Sequence, residues 1–163
     1  MENYIVIGGK KAELTEEQLK ALGIEPKRKT PFDRVKKGGR YCFVNIWSNT
    51  ISIEDAGGKG DQSLFEAFNY FNDEAFAKQV ALHELLNRKL LKYAWDNEAE
   101  DCAWDGAETH YYIYYEAKSH EFDITETYAI RSNNIYFSKR GIAKQAIEDV
   151  IKPFMAKHPE FVW

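Results

Sequence analysis

The stretch HELLN, His83 to Asn87, opens as the zinc motif HExxH does, in which two histidines four apart on a helix face one metal and the glutamate serves as base. Here Asn87 stands at the fourth position, so the second ligand is missing, and His83 is expected as a partly buried helix residue. GGKGDQS, Gly57 to Ser63, holds the ingredients of a phosphate loop. It lacks the GxxxxGK-Ser/Thr spacing that would bring the lysine to the phosphates and the hydroxyl to a metal. It is expected as a flexible loop leading from a hairpin to a strand. Nucleophilic catalysis needs Ser or Cys beside a His that a carboxylate orients. Cys42 falls inside a predicted strand, and His110, His120 and His158 fall at element edges in polar company, so nothing selects a triad. A CxxC pair is absent, and Cys42 and Cys102 read as free thiols. The expectation is a protein that is not an enzyme and uses neither a metal nor a cofactor.

Two charged runs carry more information. Lys27, Arg28, Lys29, Arg34, Lys36, Lys37 and Arg40 crowd one stretch, with Phe32 and Tyr41 nearby. Cations interleaved with rings can attract phosphates and stack on bases, so this run is a candidate nucleic-acid-binding arm. Asp96, Glu98, Glu100, Asp101, Asp105 and Glu108 crowd a second stretch that contains Trp95 and Trp104. Tryptophan among carboxylates combines an apolar anchor with a charge pattern that a basic partner prefers, so this run is the leading candidate for partner binding.

The elements that must position these residues follow from pattern. Tyr4 to Ile7 alternates into a strand, Gly8-Gly9 can turn, and Lys11 to Leu14 can return. Thr15 and Gln18 have the spacing of a capping box ahead of a short helix over Glu16 to Leu22, and Gly23 suits its left-handed end. Residues 25–30 read as a polar linker closed by Pro31. YCFVNIW from Tyr41 is a strand, Ser48-Asn49-Thr50 a turn and ISI its return, while Asp55 to Ser63 is expected as loop. A short third strand over Phe68 to Phe71 precedes a helix from Asp73 to about Tyr93, capped by Asn72. That helix aligns Phe76, Val80, His83, Leu86, Leu90 and Tyr93 on one face.

The second half repeats this order. NYFNDEAFAKQV at Asn69 and IYFSKRGIAKQA at Ile135 share the frame YF, five residues, AKQ. YYIYYEA answers YCFVNIW, Phe122 and Ile124 answer Ile51 and Ile53, and a helix from Lys139 to Ile151 ends where Lys152-Pro153 interrupts it. A hairpin with a third strand and one covering helix is too small to be secure alone, and two copies can share a core. The predicted fold is α+β: two tandem strand-strand-strand-helix repeats after an N-terminal hairpin and helix. The expected divisions are 1–30, 31–94, an acidic connector at 95–110, and 111–163 with its C-terminal tail.

At 163 residues the chain suffices for one domain, and 44% hydrophobic with 29% charged residues excludes a disordered chain. The aromatic share of 15% supplies large stiff side chains for a core or a contact surface. No apolar run has the length of a membrane span, and MENYIVIGGKKAEL lacks a basic head followed by an apolar stretch. A cytosolic protein without membrane contact is therefore expected.

ELTEEQLKALGIE, PFDRVKKGGRYCF, the aromatic third strand before a helix, YYIYYE and IKPFMAKHPEFVW together resemble a group of small phage and prophage proteins from Gram-positive anaerobes, over nearly the whole chain. Relatives in that group carry Gly-Asn before the third-strand aromatic, where this chain has Phe68-Asn69 and Asn134-Ile135. The resemblance implies an accessory role on a mobile element in the host cytosol. The leading expectation is a phage inhibitor that binds and blocks a host defence protein, with a CRISPR effector nuclease among the candidates as for anti-CRISPR proteins, through Trp95, Asp96, Glu98, Glu100, Asp101, Trp104, Asp105 and Glu108. One alternative is a nucleic-acid-binding accessory protein that uses the basic arm. The other is a sponge for a small nucleotide signal built on Tyr111, Tyr112, Tyr114 and Tyr115, of which strand alternation sends about half to each face.

Overall fold

The computed structural model describes residues 4–23, 29–97 and 106–163. Strands β1 (Tyr4–Ile7) and β2 (Lys10–Glu13) pair antiparallel across Gly8 and Gly9, both with positive φ, as a two-residue turn requires. Helix α1 (Glu16–Ala21) starts at a complete capping box: Thr15 Oγ1 accepts the Gln18 amide at 3.2 Å and Gln18 Oε1 accepts the Thr15 amide at 2.9 Å. Past its end Gly23 takes φ +70°.

The next unit begins with β3 (Arg40–Val44) and β4 (Thr50–Glu54), an antiparallel pair. Residues 59–66, expected within or just after a loop, form helix α2 (Lys59–Glu66) instead. Gly58 is its N-cap, and Asp61 reaches back to accept the Gly58 amide at 2.8 Å. Helix α3 (Glu74–Asn97) outruns the expected end by one turn. Its cap is Asp73, whose carboxylate accepts the Phe76 amide at 3.0 Å, rather than Asn72. Asn72 donates instead to the carbonyls of Thr30 and Asp33.

Strands β5 (His110–Glu116) and β6 (Glu121–Thr127) form the third antiparallel pair, and the three pairs are separate sheets. Helix α4 (Arg140–Ala146) runs into a π turn (Ile147–Ile151) and on into α5 (Lys152–Lys157). Pro153 was expected to interrupt this helix. The Lys152 amide reaches back five residues to the Ile147 carbonyl, and this wider turn carries the chain past a proline ring that would crowd an ordinary one.

Each predicted third strand is a single bridge. Phe71 exchanges both backbone hydrogen bonds with Cys42, at 2.7 and 2.8 Å, and Phe137 does so with Tyr111 at the same two lengths. The architecture is thus α+β. Its buried side chains fall into two clusters joined along α3. Ala77 and Ala81 pack with Cys42, Val44 and Phe71, whereas Leu82, Leu86, Leu90 and Ala94 pack with Ile124, Phe137 and the α4 to α5 helix. Of the predicted α3 face only Leu86 and Leu90 are fully buried, and His83 is exposed with its ring against Phe161. Small alanines let β3 approach closely on a second side, which widens the buried stripe beyond one predicted face. No helix among the described residues is long and apolar enough to cross a membrane.

Candidate functional site

Two constellations stand out from the framework. The first is a buried polar cluster between the 31–40 segment and α2. Tyr41, Tyr70, Asp55 and Asp61 are all buried. Asp55 accepts from Arg34 Nε at 2.9 Å, from Tyr70 OH at 2.9 Å and from the Gly57 amide at 2.7 Å. Tyr41 OH donates to Asp61 at 2.8 Å, and the two tyrosine rings stack 3.8 Å apart. The hydrogen bond from Arg34 is the main force that holds the Asp55 carboxyl down at about 2, while burial pushes the Tyr70 phenol up to about 12. General acid-base work needs a group poised near neutrality and open to substrate. Asp55 and Tyr70 are far from neutrality and the carboxylates are enclosed, so the cluster fastens the chain.

That clasp redefines the basic run. Arg34 is held by Asp55 and Gln62 and lies over the Phe65 ring, and Arg40 donates to Ser52. Phe32 packs edge-on against Phe71 and Phe76 yet stays 41% exposed, whereas Tyr41 is buried and presents no ring to bases. Lys29, Lys36 and Lys37 are exposed, and Lys27 and Arg28 lie outside the described residues.

The acidic run divides likewise. Trp95 and Asp96 belong to the last turns of α3, with Trp95 67% exposed and Asp96 paired to Lys92. Glu108 is exposed just ahead of β5. Glu98, Glu100, Asp101, Trp104 and Asp105, with Cys102, lie outside the described residues.

The second constellation was not predicted. At the tip of the β3–β4 pair, Ile46 is 84% and Trp47 72% exposed, and Phe68 is 75% exposed after α2. The Asn69 side chain joins them by bonding both backbone groups of Val44, accepting from its amide and donating to its carbonyl, each at 2.8 Å. That brings Phe68 beside the strand end that leads to Ile46. The tip is folded by Asn45, whose carboxamide accepts the Trp47 and Asn49 amides at 3.0 Å. Phe68 has φ +55° and Ser48 φ +60°, the left-handed region that costs a residue with a β-carbon about 1–2 kcal/mol. Ser48 Oγ also accepts a hydrogen bond from Arg88 on α3. Leu91 and Trp95 follow Arg88 at three- and four-residue steps, so one α3 face continues from the tip as a second exposed apolar strip. Beside Leu91 opens a groove of about 320 Å³, bordered also by Arg88, Ile113, Ile135 and Trp163.

The remaining predicted chemistry is placed as follows. Cys42 is a buried free thiol. His110, expected at a polar edge, is buried with its ring near Tyr136, on the strand face opposite to Tyr111 and Ile113. Tyr111 and Tyr115 lie on the face that packs on the core with Ile113 and Phe122, and Tyr112 and Tyr114 on the other, so alternation divides the four as expected. No group of three metal-ligating side chains occurs among the described residues.

Comparison with known protein families, with curated proteins and with solved structures found no match.

Proposed function

We propose that this is a non-enzymatic inhibitor that binds and blocks another protein, with the tip formed by Ile46, Trp47 and Phe68 as its primary contact surface. The observation that carries the reading is Phe68, an exposed aromatic residue held in a left-handed backbone conformation next to Asn69, whose side chain is bonded to the strand end that leads to the exposed Ile46 and Trp47. An exposed apolar residue alone needs no explanation, but one kept at a backbone cost points to binding. Large, stiff anchors of this kind carry most of the energy of protein interfaces. Leu91 and Trp95 extend the surface along α3, and Asp96 and Glu108, with the acidic residues between them, supply charge that speeds encounter with a basic partner.

The sequence resemblance to phage and prophage proteins directs the choice of partner to host defence proteins, CRISPR effector nucleases first. Such a nuclease holds nucleic acid on a basic surface, and an acidic, aromatic protein suits that surface by charge and shape. Immobilised protein exposed to purified effector nucleases should retain at least one of them at micromolar concentration. Retention of none, together with a gel shift showing tight salt-sensitive binding to nucleic acid, would replace this reading with that of a nucleic-acid-binding protein.

A further inference from the structure

The bridge at Phe137 fixes which way β6 turns its backbone. Phe137 exchanges hydrogen bonds with Tyr111, so Tyr111 directs its N–H and C=O away from β6. In an antiparallel pair this direction alternates along the strand. The pairs Tyr111 with Glu126, Ile113 with Ile124 and Tyr115 with Phe122 are then the ones without mutual bonds. Glu126, Ile124 and Phe122 therefore point their N–H and C=O groups outward, along the edge of a sheet of two strands. The Ile124 amide agrees with this direction, since the neighbouring Asp123 carboxylate accepts it at 2.7 Å. The remaining outward groups of the three residues have no hydrogen-bond partner among the described residues.

The first unit covers part of its corresponding edge itself. Ser52 pairs with Cys42 as Glu126 pairs with Tyr111, and Arg40 donates to the Ser52 carbonyl at 3.0 Å. Beside β6 there is instead a groove of about 560 Å³, whose opposite wall is α4 and the π turn. Phe122, Ile124 and Ile147 give it an apolar lining. Arg140 reaches across it to Asp123 at 3.7 Å, and Lys152 pairs with Glu148 at 2.6 Å within the helical wall. Each wall keeps one charge without a partner among the described residues, Lys144 on α4 and Glu121 on β6.

We propose that this groove binds an extended segment of a partner protein, which adds to β6 as an antiparallel third strand. Main-chain hydrogen bonds to Phe122, Ile124 and Glu126 supply affinity, and the segment displaces the Asp123 carboxylate from the Ile124 amide. Residues opposite these three share their face, so every second side chain of the segment is apolar and turns toward Phe122 and Ile147. The alternate side chains carry both signs of charge, a basic one beside Glu121 and an acidic one for Lys144. Glu121, Asp123 and Glu148 on the walls disfavour a polyanion such as a nucleic-acid strand. This site is independent of the tip at Ile46, Trp47 and Phe68.

The test uses the whole protein, isotope-labelled for NMR, and a synthetic peptide as long as β6, seven residues, in which valine alternates with lysine or glutamate. Saturable shifts should centre on residues 120–127 and 140–152, with a Kd below about 1 mM. N-methylation of the valine amides, which face β6, should weaken binding about tenfold or more. The same change on the lysine and glutamate amides, which face away, should alter it by less than about twofold. A Lys144→Glu protein, changed at an exposed position, should keep the parent melting temperature and bind about threefold more weakly. Absence of saturable shifts at about 2 mM peptide, shifts centred elsewhere, or a valine methylation no more harmful than the other would overturn the proposal. So would unchanged affinity in Lys144→Glu. Concentration-dependent shifts along β6 without peptide would overturn it too, by making a second copy the occupant.

Discussion

Phe71 and Phe137 hold equivalent places: each exchanges a pair of backbone hydrogen bonds with the strand residue that its own unit directs into its core cluster, Cys42 and Tyr111 respectively. Each ring is almost wholly buried, Phe71 in the cluster around Ala77 and Ala81, and Phe137 in the cluster around Leu86 and Leu90. Truncating either to Ala should cost about 3 to 5 kcal/mol, a large share of the stability of an ordinary domain. Denaturant unfolding of the two variants checks this, and a cost below about 1 kcal/mol at either position would contradict the equivalence.

The clasp at Asp55 makes a prediction with a definite pH sign. Its folded pKa is lowered to about 2 from an ordinary value of 3.8, chiefly by the hydrogen bond from Arg34. The group therefore contributes stability that is fully present above pH 4 and lost as pH falls from about 4 through about 2. Asp55→Asn should destabilise the protein by about 1–3 kcal/mol at neutral pH and flatten its stability profile in that acid range. Chemical denaturation at several pH values reads both effects.

Phe68 separates contact from stability. Phe68→Gly removes a β-carbon from a residue at φ +55°, so it should leave the melting temperature unchanged or raise stability by up to about 1 kcal/mol. Phe68→Val should lower it, because a branched β-carbon fits a left-handed backbone worse. Thermal unfolding of the two variants gives the comparison.

Charge should act mainly on rate. Reversing Asp96, Glu98, Glu100 and Asp101 to Lys should leave the melting temperature nearly unchanged while slowing association with a basic partner. The dissociation rate should change little. If association is as fast as in the parent, the acidic run plays no part in steering.

The two bridges and the first cap were legible because their signals are local: the shared YF frame marks the two bridging phenylalanines directly, and the capping box at Thr15 needs only two side chains three residues apart. Helix α2 was not legible, since GGKGDQS reads as loop by composition. It is helical because Tyr41 and Tyr70, reached across the fold, hold Asp61 and Phe65 against them. The passage of the last helix through Pro153 required a π turn that no residue pattern announces. The candidate site was least legible. Strand pattern ran straight through Ile46 and Trp47, and their exposure follows from the early turn that Asn45 makes with its own side chain. Charge spacing named an acidic surface, of which Trp95, Asp96 and Glu108 are seen exposed, whereas the tip is joined by the contact of Asn69 with Val44 across the unit.

The most direct test of the proposed inhibitor measures the binding of the parent and of an Ile46→Ser, Trp47→Ser, Phe68→Gly variant to a panel of purified CRISPR effector nucleases, with melting temperatures recorded alongside. The tip account predicts that at least one nuclease binds the parent with a Kd below about 1 μM and binds the equally stable variant about a hundredfold or more weakly. Binding by an equally stable variant as tight as that of the parent, or no binding to any member of the panel, would contradict it.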